Sequence, residues 1–196
     1  MLVFWKQHLV FLSVPKTGST AWSQALAPHA SMVVSDPPEL KHAPLYRYNR
    51  FFRPMFDRVG GQPELLAVLR EPVDWLGSWY RYRQRGALEG TAQSTRGITF
   101  DSFVRAYLQD DRPAFAQVGS QAKFIEPRNN GLHVAHLFRY ENQTALVAFL
   151  EDRLGVAIDL PHRNPSPPAD LSLTPETRAR LQDACAADFD AWARAN

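Results

Sequence analysis

The chain has 196 residues, 45% of them hydrophobic and 21% charged, which excludes collagen-like, coiled-coil and wholly disordered classes. That length suits one domain, residues 1–196, with a core that needs no disulfide or metal staple. A net charge of +2 is too small to argue for a nucleic-acid partner, and the single Cys185 excludes an intramolecular disulfide and any multi-cysteine metal site.

In chain order, Leu9 to Val14 is a short apolar run ending at Pro15, as a buried strand would. Residues 15–19 have turn chemistry, and Thr20 to Leu26 reads as a short helix. Ser31 to Ser35 is a second strand, stopped by Asp36-Pro37-Pro38. Pro44 to Phe52 is expected to be helical, with Pro54 closing it. Leu65 to Leu69 is a third strand, followed by Arg70 and by a helix that Pro72 opens and that runs to Gly86. Residues 88–97 form a polar loop, and Phe100 to Leu108 is another helix. Val134 to Phe138 is the fourth strand, followed by a helix from Thr144 to Leu154 that Gly155 caps. Residues 159–173 are Pro-rich and irregular, and Thr174-Pro175-Glu176 opens a last helix of about 20 residues, with Cys185 inside it as small apolar filler.

Short apolar strands alternating with helices imply an α/β fold, a three-layer α/β/α arrangement around a mostly parallel sheet. Ligands of such sheets bind beyond the carboxyl ends of the strands. Lys16, the segment around His42, and Arg70 all follow expected strand ends, so the fold should gather them at one edge. No apolar run approaches the roughly 20 residues of a membrane span. The chain does not open on a basic segment with a small-residue cleavage site, so a cytoplasmic protein is expected.

The sharpest local feature is Pro15-Lys16-Thr17-Gly18-Ser19-Thr20 between a strand and a helix. A helix N-terminus offers unpaired N–H groups and the positive end of a dipole, which makes this a P-loop-like phosphate-binding loop. Gly18 permits close approach, Ser19 and Thr20 add hydroxyls, and Lys16 adds charge. It is not a Walker A loop, because Lys16 precedes Gly18 and the first glycine of that motif is missing. An ordinary strand-to-helix turn would use similar residues. The second segment separates the two readings. It runs strand, Arg70, Glu71, Pro72, helix, with Ser78 eight positions after Arg70, and a guanidinium fork suits a phosphate. Residues 41–85 carry nine basic side chains against four acidic ones, whereas 141–196 carry five against nine. The basic excess thus lies where an anion would be read, although Arg81, Arg83 and Arg85 also read as a solvated face.

Together these segments resemble the sulfotransferase family that uses PAPS, phosphoadenosine phosphosulfate. Pro15 to Thr20 is similar to that family's 5′-phosphosulfate loop, and Arg70 with Ser78 is similar to its 3′-phosphate site. Arg70-Glu71-Pro72 is closest to the carbohydrate sulfotransferase branch and its bacterial relatives. Phe138 to Asn142 before an amphipathic helix, and Arg163-Asn164-Pro165-Ser166 before the last one, agree more loosely. The resemblance implies transfer of a sulfuryl group from PAPS to a hydroxyl or amine of a carbohydrate or small-metabolite acceptor, with PAP as product and no metal. It assigns Lys16 to the charge of the departing phosphate, Thr17, Gly18, Ser19 and Thr20 to the 5′-phosphate, Arg70 and Ser78 to the 3′-phosphate, and Arg163 and Asn164 to closing contacts on the nucleotide.

A general base must be neutral near pH 7, which favours His42 in Leu40-Lys41-His42-Ala43-Pro44. Lys41 beside it is a candidate contact for an acceptor anion, and Ser120-Gln121 a hydrogen-bonding pair for the acceptor, with Gln121 the substrate-binding residue. Residues 88–97 and 109–131 are candidate acceptor walls by loop logic. His133 and His136 would point to opposite faces of one strand and not share a metal. Trp75, Trp79, Tyr80 and Tyr82 read as core and interface. Two competing functions remain: a Mg-dependent nucleotide kinase, which would need carboxylates such as Asp36 and Glu71 at the phosphate loop, and a non-catalytic nucleotide-binding protein of the same fold.

Overall fold

The apolar runs become a five-stranded mixed sheet in the computed structural model of the chain, which describes residues 1–160 and 169–196. The strands are β1 (Leu2–Phe4), β2 (Leu9–Leu12), β3 (Met32–Val33), β4 (Glu64–Leu69) and β5 (His136–Arg139), in the order β3-β1-β2-β4-β5. β2, β4 and β5 run parallel, with Leu12 opposite Ala67 and Leu69 opposite Arg139. β1 was not expected, because Lys6-Gln7-His8 reads as a break in an apolar stretch. Those residues instead belong to the turn of a β1–β2 hairpin, where the Gln7 N–H bonds the Phe4 carbonyl at 3.2 Å and His8 takes φ 50°. So short a connection can join only antiparallel strands. β1 therefore pairs antiparallel with β2; it also pairs antiparallel with β3, and the parallel part of the sheet is its β2-β4-β5 core.

Among the described residues ten α-helices connect and cover the strands: α1 (Ser19–Leu26), α2 (Pro38–Lys41), α3 (Leu45–Arg47), α4 (Arg53–Arg58), α5 (Pro72–Arg83), α6 (Phe100–Tyr107), α7 (Gln121–Phe124), α8 (Gln143–Leu154), α9 (Pro175–Ala184) and α10 (Ala186–Ala193). Side-chain caps start several of them: Thr99 accepts from the Ser102 N–H, Ser120 from Lys123, Asn142 from Ala145 and Thr174 from Thr177. Pro54 does not end a helix, contrary to expectation. A π-helical turn, Tyr48–Phe52, joins α3 to α4, and Pro54 sits in the first turn of α4, where a missing N–H costs little. The expected single C-terminal helix is broken at Cys185. The break lets the Asp188 carboxylate meet the Ser120 hydroxyl at 3.0 Å and the Ala122 N–H at 2.9 Å, so α10 caps the start of α7. Cys185 itself is half-buried against the cluster around Phe103 and Leu181.

Alternation along the strands sends side chains to two cores. Val10, Leu12, Leu65, Ala67 and Leu69 pack with Leu45, Tyr48, Phe56, Phe124 and Ala191. Leu9, Phe11, Leu66, Val68 and Phe138 pack with Trp22, Leu26, Leu146 and Leu150. A third cluster joins α5, α6 and α9 through Trp75, Tyr80, Phe103, Tyr107 and Leu181. Full burial of each such Leu or Phe contributes about 1.5–3 kcal/mol. Among the described residues no helix is long and apolar enough to cross a membrane.

Gly155 ends α8 at φ 69°, with its N–H on the Glu151 carbonyl. A Cβ meets no neighbour there, so backbone strain alone sets the cost of substitution. Gly155→Ala is expected to cost about 1–2 kcal/mol. The check is a fall in the thermal midpoint of about 2–4 °C per kcal/mol.

Candidate functional site

The site lies at the carboxyl ends of β2, β4 and β5 and is assembled by their outgoing loops. After β2, the Val14 N–H bonds the Leu12 carbonyl, and the Thr17 hydroxyl donates to the Val14 carbonyl at 2.9 Å. Thr17 is therefore turned inward to hold the loop, while Ser19 is buried at the start of α1 and Thr20 is exposed. Gly18 takes φ 76° against Tyr140, whose Cε2 would lie 3.2 Å from an added Cβ. Lys16 takes φ 67°, one of only two positive values at non-glycine positions among the described residues. An unfavourable conformation of this kind persists only where the surroundings hold it.

The surroundings of Lys16 are rings and cations. Its Nζ sits 3.0 Å from the Tyr82 ring centroid and 4.5 Å from that of Trp79. Burial, then the nearby Arg85 and Arg83 guanidinium groups, bring its pKa down to about 7. Tyr82 and Trp79, read from sequence as core, are the flanks of this lysine. Arg83, read as part of a solvated face, is buried and donates to the Ala114 and Gln117 carbonyls at 2.6 and 2.9 Å. Those carbonyls come from the 109–131 segment, which braces α5 from behind.

Arg70 leaves β4 at the same edge. Its Nε and Nη2 donate to one Asp74 carboxylate oxygen at 3.0 and 2.8 Å, and its guanidinium lies 4.4 Å from the Tyr140 ring centroid. Nη1 reaches the Lys16 carbonyl at 3.4 Å, and the Trp75 indole N–H donates to the Pro15 carbonyl at 2.9 Å. These contacts join the two motifs, more than fifty residues apart in sequence. The Gln121 amide accepts from the Arg70 N–H at 2.8 Å and donates to the Arg70 carbonyl at 2.7 Å. At 1% exposure Gln121 is out of reach of an acceptor and instead holds the Arg70 backbone in register. Ser78 is buried on α5, two turns beyond Arg70. Glu71 is committed to capping α5, accepting from the Asp74 N–H at 2.8 Å.

His42 ends α2 and reaches back to the end of β2, its Nδ1 on the Ser13 carbonyl at 2.7 Å. A carbonyl only accepts, so Nδ1 carries the proton and the neutral ring presents a lone pair at Nε2. Burial is the main cause that lowers the His42 pKa below its ordinary value; the Ser13 bond opposes it, and Lys41, the N-terminal ammonium and Lys16 add to it. The N-terminal ammonium is itself anchored on the Val34 and Lys41 carbonyls, both at 3.0 Å, and burial brings its pKa down to about 5.

The structure thus brings together Lys16, Gly18, His42 and Arg70. Arg163 and Asn164 lie outside the described residues. His133 is not in a strand, and His136, in β5, pairs with Glu64 at 3.1 Å. The 88–97 loop is pinned at Thr95, which is fully buried and donates to the Tyr80 carbonyl. Sequence reasoning missed Asp74 and Tyr140. Asp74 stands four residues after Arg70 on a helix, a pairing distance that sequence displays. Tyr140 directly follows the third parallel strand, where ligand-edge residues are expected. A cavity of about 240 Å³ lined by Tyr80, Ile98, Phe100, Asp170 and Ser172 involves none of these residues. No protein-family model and no curated protein matches the chain.

Proposed function

We propose that the chain is a PAPS-dependent sulfotransferase of three-layer α/β/α design, with a phosphate-cradling loop at 15–20 and a cytoplasmic site of action. One observation carries the reading: the Lys16 loop and the Arg70 segment share one edge, joined by Trp75 to Pro15 and by Arg70 to Lys16. A helix N-terminus behind Gly18, a lysine held among rings and guanidinium groups, and an arginine at the neighbouring strand end together suit a ligand with two separated anionic groups. PAPS is such a ligand, and when bound it supplies the sulfuryl group.

In this reading the loop N–H groups and the Ser19 and Thr20 hydroxyls hold the 5′-phosphate, and Arg70 with Ser78 holds the 3′-phosphate. Asp74 pairs with Arg70, so an arriving phosphate competes with one carboxylate for the guanidinium. Lys16 neutralises the charge left on the phosphate oxygen as its bond to sulfur breaks. His42 takes the acceptor's proton at Nε2 as the acceptor oxygen bonds to sulfur. Catalysis of this kind rests on position and charge, as in phosphoryl transfer. The acceptor is a carbohydrate or small metabolite, and Lys41 would meet any anion on it.

Calorimetric titration with PAP, ADP and ATP, with and without Mg²⁺, tests the reading. Binding of PAP near micromolar without Mg²⁺, and far weaker binding of ADP, is expected. Equal affinity for ATP, or a requirement for Mg²⁺, would overturn it in favour of the kinase. Tight PAP binding without turnover over a broad acceptor panel would favour a non-catalytic binder.

A further inference from the structure

Among the described residues five large hydrophobic side chains stand exposed, and four of them, Tyr46, Phe51, Met55 and Val59, lie on the single stretch from α3 to the C-cap of α4, at 45–67% exposure. The same stretch carries Arg47, Arg50, Arg53 and Arg58 against one acid, Asp57, a net charge of +3. The buried side of the helix is accounted for by Leu45, Tyr48 and Phe56 in the core. The exposed side has no such explanation. Its order is set by the π turn Tyr48–Phe52, which spends an extra residue between Tyr46 and Phe51. Positions 46, 51, 55 and 59 consequently follow one another about one turn apart and form one stripe. Arg50 lies beside Phe51 at 5.3 Å; Arg47 lies beside Tyr46 at 5.7 Å and donates to the Glu39 carbonyl at 3.1 Å; Arg53 is engaged by Asn49 and Asp57.

We propose that this stripe docks the protein on an anionic membrane surface. Exposed aromatic and thioether groups interleaved with arginines are what an interfacial helix presents: apolar tips enter the acyl boundary while guanidinium groups reach lipid phosphates. The positive charge selects an anionic surface. It also opposes a second copy of the chain seated face to face, since two surfaces of +3 would repel. The inference does not rest on sulfuryl transfer, and its test involves no nucleotide.

The full chain is floated with vesicles of phosphatidylcholine alone and of phosphatidylcholine with about one third phosphatidylglycerol, at low and at high salt. Binding only to the anionic vesicles, reversed by salt, is expected. The double variant Phe51→Ser with Met55→Ser should lower the bound fraction about tenfold while the thermal midpoint stays unchanged, because both side chains are already exposed. Arg50→Glu with Arg58→Glu should do the same. Three results would overturn the proposal: no binding to anionic vesicles at low salt, undiminished binding of the Phe51/Met55 variant, or a concentration-dependent dimer that the Phe51/Met55 variant abolishes without vesicle binding by the wild type.

Discussion

Lys16→Ala is expected to lower turnover of PAPS about 10²–10³-fold, with a much smaller effect on PAP affinity. The asymmetry follows from where its charge acts. In the proposed reaction PAP would be held by the loop N–H groups and by Arg70, whereas Lys16 would act when negative charge grows on the departing oxygen. The lysine is also unusually placed for an ammonium, lying against Tyr82 and Trp79 with Arg83 and Arg85 nearby, its pKa brought down to about 7. A lysine is charged below its pKa and neutral above it. The kcat/KM for the donor should therefore fall as pH rises through about 7. An anion bound beside Lys16 favours its charged form, so kcat should hold to higher pH than kcat/KM. His42 acts only when neutral, and its lowered pKa keeps it neutral below the ordinary histidine range, which moves the acid limb down.

Stability moves in the opposite sense from activity. Folding holds Lys16 at a pKa below its unfolded value of 10.5, so the unfolded chain binds more protons between about 7 and 10.5. Its unfavourable contribution is fully present below about 7 and disappears as pH rises toward 10.5. The thermal midpoint of Lys16→Ala should thus equal or exceed that of the wild type at neutral pH, and the gap should close in alkali. Loss of turnover in a variant that melts no lower would exclude unfolding as the cause. Unchanged turnover would remove Lys16 from the reaction.

Arg70→Ala is expected to weaken PAP binding about 10–10²-fold, the worth of hydrogen bonds to a charged group at 1.5–3 kcal/mol, and to leave ADP binding nearly unchanged. The ratio of the two affinities is the decisive readout, because ADP lacks the 3′-phosphate. A fall in both by the same factor would assign Arg70 to the loop's architecture, through its contact with the Lys16 carbonyl. Asp74 supplies a companion test. Its carboxylate pairs with the guanidinium at 2.8 Å, so Asp74→Asn should strengthen PAP binding several-fold by removing the competitor. Calorimetry on the two variants checks both statements. Weaker binding by Asp74→Asn would mean that the carboxylate orients Arg70 rather than competing for it.

Much of this architecture was legible in the sequence, for reasons that are local. Buried parallel strands read as unbroken apolar runs, so Leu9–Leu12 and Glu64–Leu69 stood out within two residues of their observed ends. Helix starts at Pro72, Phe100 and Pro175 and the stop at Gly155 follow from cap chemistry that spans only a few residues. The rule that ligands lie beyond parallel strand ends then sufficed to bring Lys16, His42 and Arg70 to one edge.

Only the tertiary structure decided the rest, because each remaining feature depends on groups distant along the chain. β1 is a strand because β2 and β3 lie on either side of it, not because three residues prefer to be extended. The last helix breaks at Cys185 where Asp188 meets Ser120 and Ala122. Gln121 serves Arg70 because α7, from another part of the fold, puts its amide on that backbone. Tyr82 and Trp79 flank Lys16 because α5 crosses the mouth of the loop. The sequence by itself determined at which end of the sheet Lys16 and Arg70 lie, since periodicity and strand-end position are properties of a short segment. What those residues touch, and so how their charges are tuned, was decided by packing between segments that no short stretch of sequence can see.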